Sequence, residues 1–190
     1  MNSIYMKSFK VNFFSIVSIF ILLGFFSCGD DDSTMTGPDS LVGTYVIVEA
    51  LTTELILDPI TGTDIGIPVN TDLSQALNGA LLISAGCNNL TNARIELRDG
   101  GQIWYVCLTE GVEVQNGTWT INSARDQLNL TLQVGGFPFQ LIFSNFVEAS
   151  LSGLVSNVPL TPDVLLAIDP TLNLTSMIYL SDLSMKLQKD

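Results

Sequence analysis

"QLNLTLQVGGFPFQLIF", Gln127–Phe143, is the stretch that decides the fold. Leu128, Leu130, Leu132 and Val134 alternate with Gln127, Asn129, Thr131 and Gln133, the period of two expected of a half-buried β-strand. Gly135-Gly136 tolerates the positive φ angles of a two-residue hairpin turn. Counting outward from that turn pairs Val134 with Phe137, Leu132 with Phe139, Leu130 with Leu141 and Leu128 with Phe143. All four pairs are apolar and fall on one face, so turn and pattern specify the same register. Pro138 falls on the other face. It has no N–H to give a ladder, so it predicts an edge or a bulge there.

Upstream, "VEVQNGTWTI", Val112–Ile121, reads as a second hairpin. Asn116-Gly117 suits a type I′ turn, and the pairs are then Gln115 with Thr118, Val114 with Trp119, Glu113 with Thr120 and Val112 with Ile121. In "ARIELR", Ala93, Ile95 and Leu97 alternate with charged residues; Asp99-Gly100 turns the chain, and "QIWYVCL" runs back. "LVGTYVIVEA" is the first strand, "TELIL" a short one, and "NFVEASLSGLV" and "SMIYLSDLSMKLQ" are two more. "NTDLSQALNGALLIS" is the one helix. Thr71 or Asp72 caps it, and Leu73, Ala76, Leu77, Ala80 and Leu81 form its apolar stripe. Residues 156–173 read as a long connection with a helical turn after Pro162.

Eight to ten short antiparallel strands, each with one apolar face, must close or stack to bury it. A run of sequential hairpins favours an all-β, up-and-down barrel with one short helix over a Greek-key sandwich. About 150 folded residues are enough for an independent core.

Charge and composition limit the chemistry. The 190 residues hold seven basic and 19 acidic side chains. Lys7 and Lys10 precede an apolar run; without that segment the balance is five basic against 19 acidic, a net of −14. A field of that sign repels nucleic acid and anionic headgroups. The chain contains no histidine, which removes the commonest general base, transition-metal ligand and triad member. None of Gly-x-Ser-x-Gly, Ser-x-x-Lys, Gly-x-x-x-x-Gly-Lys or Gly-x-Gly-x-x-Gly occurs, so the expectation is a protein that is not an enzyme and needs no cofactor or metal. Asp58 and Asp64 share the loop "DPITGTDIG", but the spacing is not that of an EF-hand calcium loop.

The amino terminus gives an address. "VNFFSIVSIFILLGFF", Val11–Phe26, is about 16 residues and short for a membrane span, which needs about 20. After two lysines it fits a secretory signal over residues 1–27, with a retained anchor helix as the alternative. "FFSC" resembles a bacterial lipobox, with Ser27 before the cysteine and Phe25 in place of the usual leucine. The resemblance implies that Cys28 is acylated and becomes the new amino terminus. Each buried methylene of an acyl chain adds roughly 0.8 kcal/mol of membrane affinity. "GDDDS" resembles the acidic tag that directs Bacteroidetes lipoproteins to the cell surface; the expected place is the outer membrane, with its periplasmic face as the alternative. Residues 28–40 read as a flexible acidic tether, and the folded domain as 41–190. Asp32-Ser33-Thr34 and Asp39-Ser40-Leu41 resemble that group's O-glycosylation triad, with Ser33 and Ser40 as acceptors.

With Cys28 assigned to lipid, Cys87 and Cys107 remain as an even pair in an oxidising compartment. Metal binding is the rival reading. Two thiols with no histidine make a poor metal site, so a disulfide is expected.

"LVGTYVIVEA" resembles the opening strand of lipocalin-like domains, with Tyr45 where a tryptophan usually stands. "CNNLTNARIELRDGGQIWYVC" followed by "NGTWTINSARDQLNLTL" resembles the middle of the lipocalin-like lipoproteins of Bacteroidetes. The match runs over about residues 41–143 and implies a small barrel able to hold an apolar ligand. Tyr45, Trp119, Leu130, Phe137 and Phe139 would line its interior. In the alternative they fill a solid core, and the protein acts at the cell surface as a structural or interaction lipoprotein. Trp104 sits between apolar Ile103 and Tyr105, so one of those faces needs a cover from the helix or a partner.

Overall fold

A computed structural model describes residues 39–134 and 137–190. Eight strands, β1 (Gly43–Thr52), β2 (Ala93–Arg98), β3 (Gln102–Cys107), β4 (Glu113–Ile121), β5 (Leu128–Val134), β6 (Phe137–Val147), β7 (Ser152–Leu160) and β8 (Tyr179–Lys189), close into one barrel. Each strand pairs with its neighbours in sequence, always antiparallel, and β8 returns to β1. The barrel is therefore up-and-down, and it buries its apolar faces inside one contiguous core. Closure removes the free edges that an open sheet would expose. The core is drawn from residues 41–187, so the stretch from Asp39 onward contains what an independent domain needs.

The β5–β6 register is the one read from the sequence: Val134↔Phe137, Leu132↔Phe139, Leu130↔Leu141 and Leu128↔Phe143. Pro138 sits opposite Gln133 of β5, and the ladder from β6 to β7 runs only from Phe143 to Val147, so the proline is spared a lost hydrogen bond. Ala93–Arg98 and Gln102–Cys107 pair as predicted. The turn residues Gly135-Gly136 lie outside the described residues.

The second hairpin is corrected. Glu113–Ile121 is one continuous strand, and Asn116-Gly117 stands in its middle rather than at a turn. Ile103 pairs with Gly117 and Trp104 with Gln115, so Asn116 is the extra residue of a β-bulge. One inserted residue exchanges the faces beyond it. Past the bulge Val114 stands opposite the buried Tyr105 and is itself exposed, while Asn116 and Trp119 are buried; a hairpin would instead have paired Val114 with Trp119 across a turn.

Three other expectations shift. "TELIL" forms no strand of its own but contributes one bridge, Leu57↔Asp64. "NFVEASLSGLV" is the end of β6, a turn, and the start of β7. Residues 156–160 belong to β7, and only the helical turn after Pro162 survives from the predicted connection, as α2 (Pro162–Leu166). The predicted helix is α1 (Ser74–Leu82), with Leu77, Leu81 and Leu82 buried.

Helix α1 mends a split in the barrel. The β1–β2 ladder covers only Gly43–Tyr45, and beyond it the two strands part. The Asn78 amide replaces the missing strand: its Oδ1 accepts from Ile47 N at 3.2 Å and its Nδ2 donates to Ile47 O at 2.6 Å. Just before α1, Asp72 Oδ1 accepts from Ala50 N at 3.1 Å, and Leu73 N donates to Ala50 O. Buried backbone groups that have lost a strand partner are thereby satisfied.

Strand direction gives the barrel two ends. Asp39–Val42, the β2–β3, β4–β5 and β6–β7 turns and the carboxyl terminus share one end, the tether end. Residues 53–92 with α1, residues 108–112, and residues 161–178 with α2 share the far end.

Candidate functional site

The barrel interior is where the sequence pattern places a ligand. Tyr45 is buried on β1, and its hydroxyl donates to Leu41 O at 2.6 Å. Burial pushes its pKa up to about 12, helped by the nearby Asp39 and Glu148 carboxylates. Trp119 is 6 % exposed, and its Nε1 donates to Arg98 O at 3.0 Å. Leu130 is fully buried, and Phe139 is half-buried against the same core. The Phe137 side chain lies outside the described residues. Tyr105, Phe143 and Tyr179 are fully buried among these side chains. Three bulky rings, the Trp119 indole and their aliphatic neighbours thus share the interior of an eight-stranded barrel, a size that side chains can fill or that can hold one small ligand.

Two buried polar groups stand out among the described residues. The Tyr105 hydroxyl and the Asn116 amide nitrogen are buried without a hydrogen-bond partner among the described residues. Burial pushes the Tyr105 pKa well above the usual phenol range. The bulge at Asn116 is what turns this amide inward.

Grooves mark the outer surface of the described residues. One, of about 430 Å³, lies between α1 and the parted β1 and β2, with Val46, Asn78 and Arg94 on its walls. Another, of about 340 Å³, lies on the outer face of β4–β6 over Thr120, Asn129, Thr131 and Gln140. Trp104 also faces outward, and its cover is a side chain rather than the helix: the Arg98 guanidinium lies 4.4 Å from the ring centroid. Arg98 is itself held by Glu96 at 2.5 Å and Glu113 at 2.8 Å.

At the tether end, Arg125 sits in the left-handed region at φ 57° and grips two carboxylates. Its Nη1 and Nη2 reach Asp39 at 3.0 and 2.9 Å, and its Nε reaches Glu148 at 2.6 Å. These charge-assisted bonds hold both carboxyls below their usual range and the guanidinium above its own. Ser40 donates to Glu148, and Lys189 Nζ donates to Ser40 O and Val42 O. Asp39 and Ser40 are thus bound to the barrel, while Cys28, Ser33 and the signal lie outside the described residues.

At the far end, Asp58 organises two loops. Its Oδ1 accepts from Ile60 N and Thr61 N, both at 2.9 Å, and its Oδ2 accepts from Thr175 Oγ1 at 2.6 Å. Ser176 Oγ and the Tyr179 hydroxyl donate to the same oxygen at 3.4 Å. The Thr175 bond, followed by the Thr61 amide, lowers the Asp58 pKa to about 2. Asp64 points away to Gly66 N, and among the described residues no three carboxylate, thiol or imidazole groups are placed to hold a metal ion.

No protein-family model, curated protein or solved structure matches this chain.

The Asp58 hub sets a pH dependence. A carboxyl depressed from 3.8 to about 2 contributes stability that is complete above about pH 4 and is lost as the pH falls through 2. In that window the unfolded chain binds up to about one more proton than the folded chain at this site. The melting-temperature gap between the wild type and Asp58→Asn should therefore narrow between pH 5 and pH 2. A gap constant over that range would show that Asp58 does not carry the effect.

Cys87 and Cys107 form the expected disulfide, with Cα atoms 5.6 Å apart. Sequence reasoning missed the hubs at Asp58 and Arg125. Their partners lie 117 and 86 residues away, and no local pattern marks them.

Proposed function

We propose that this chain is an exported, lipid-anchored, noncatalytic lipoprotein of the lipocalin-like type, whose barrel acts through its outer surface at the outer membrane. The address rests on Cys28, its flanking "FFSC" and "GDDDS", and the apolar run before them. The noncatalytic part rests on the lack of histidine and of nucleophile and phosphate-loop motifs in the sequence. The observation that carries the choice of surface over interior is the packing: Tyr45, Trp119 and Leu130 belong to one contiguous core with Tyr105, Phe143 and Tyr179. Side chains that fill a barrel compete with any guest for the same volume.

A small ligand held inside is the second reading. The buried Tyr105 hydroxyl and Asn116 amide favour it, since both would pair with a polar group on an otherwise apolar guest. Native mass spectrometry of the stretch from Asp39 onward, purified without detergent, separates the two. The outer-surface reading expects a bare chain, lighter than the reduced one by the two hydrogens lost in closing Cys87–Cys107. A stoichiometric adduct that leaves on denaturation would overturn it in favour of the interior.

A further inference from the structure

The far end has a charge pattern unlike the rest of the molecule. Between residues 11 and 93, and again between 126 and 185, the sequence contains no lysine or arginine. The far-end loops therefore carry Glu54, Asp58, Asp64, Asp72, Glu110, Asp163 and Asp169 and not a single base. The five bases of the domain lie on β2, on β8 or in the β4–β5 turn at the tether end.

Within this acidic end stands an exposed apolar strip. Thr53 N and Oγ1 both donate to Asp182 O, which lays the chain after β1 alongside the start of β8. Residues 56–65 fold back on themselves through Ile65 N to Ile56 O and Asp58 N to Thr63 O, with Ile60 near the tip. Asp58 then ties this loop to Thr175, Ser176 and Tyr179. These bonds bring the segment that carries Leu55, Leu57 and Ile60 to the segment that carries Met177, Ile178 and Leu180, all six exposed, with Ile60 75 % and Met177 87 % exposed. The backbone beneath is fixed by hydrogen bonds, so the strip is displayed in a fixed arrangement. Exposed contiguous apolar surface with a polar rim is the mark of an interaction site.

We propose that this strip docks a cationic amphipathic segment of a protein partner, its apolar face on Leu55, Leu57, Ile60, Met177, Ile178 and Leu180 and its lysines or arginines on the acidic rim of Glu54, Asp64 and Asp182. The inference rests on the reading of the barrel as acting through its outer surface. Charge selects the occupant. A second copy docked end to end would set acid against acid, and an anionic lipid surface would be repelled in the same way. A cationic apolar helix satisfies both features at once.

The test uses the stretch from Asp39 onward and a labelled amphipathic helical peptide of leucine and lysine, followed by fluorescence anisotropy. A leucine–glutamate peptide of the same pattern is the control. The lysine peptide should bind with an affinity that falls as salt rises, and the glutamate peptide should not bind. Ile60→Asp with Met177→Asp should weaken binding by about tenfold or more. The same added charge placed on β6 by Ile142→Asp should not. This comparison decides the apolar part, because a purely electrostatic site would bind the more acidic double variant better. Equal binding of the two peptides, or no loss in the double variant, would overturn the proposal. So would tighter binding to phosphatidylcholine vesicles than to the peptide, or dimerisation of the domain that the double variant abolishes. An interior adduct in native mass spectrometry would instead sink the outer-surface reading, whatever the peptide does.

Discussion

Gly117→Ala is expected to destabilise the domain by about 3 kcal/mol, near the upper end for overpacking a well-packed site. Gly117 lies mid-strand between Ile103 of β3 and Leu132 of β5. A β-carbon there would fall deep inside the Thr131 carbonyl oxygen, 2.9 Å from its carbon and 3.1 Å from Leu132 Cα. All three are backbone atoms of a paired strand, so no side chain can swing aside, and β4 and β5 would have to part. For a domain of this size each kcal/mol moves the melting temperature by roughly 2–4 °C, so the fall should be roughly 6–12 °C. Gly100→Ala is the control. Its φ of 75° is unfavourable to alanine, but no atom lies within 4 Å of the added carbon, so it should lose only about 1–2 kcal/mol. If thermal melts show the two variants equally destabilised, close strand approach is not what fixes Gly117.

The same residue shows how far the sequence could be read. Asn-Gly signals a turn because both residues accept positive φ, and alternation on either side made the hairpin self-consistent. At Gly117 the glycine answers a different demand, the close approach of β5, which no local pattern reveals. The residue count between Gln102 and Leu128 would have allowed either a bulged strand or an extra hairpin. Gly135-Gly136 was legible because four apolar pairs and a long run on each side admitted a single register. The Leu73–Leu81 stripe was legible for the same reason, periodicity sustained over two turns. What stayed hidden is long-range and polar: Asn78 standing in for a strand against Ile47, Arg125 joining Asp39 to Glu148, and Asp58 joining two loops. A single polar residue in a loop looks the same in sequence whether it faces water or holds the fold together.

Loss of the Cys87–Cys107 bridge is expected to cost about 3 kcal/mol, the chain-entropy value for a closed loop of this length. The sequence separation is 20, and the bridge joins the end of β3 to the segment between α1 and β2. That segment returns the chain to the barrel after the long excursion from Thr53, and Cys107 is buried where it does so. Replacing both cysteines, as Cys87→Ala with Cys107→Ala, avoids leaving a lone thiol to form wrong disulfides. Denaturant unfolding of this variant against the oxidised wild type should show the loss as a lower midpoint with little change in slope. A loss below about 1 kcal/mol would mean that the α1 contacts alone hold the segment in place. The apolar strip at the far end should outlast the bridge, because Leu55–Ile60 and Met177–Leu180 are joined through Asp58, Thr175 and Tyr179 and not through either cysteine. Peptide binding should therefore persist in the cysteine-free variant at temperatures where it remains folded. It should weaken in Asp58→Asn, where the two halves of the strip lose their common anchor.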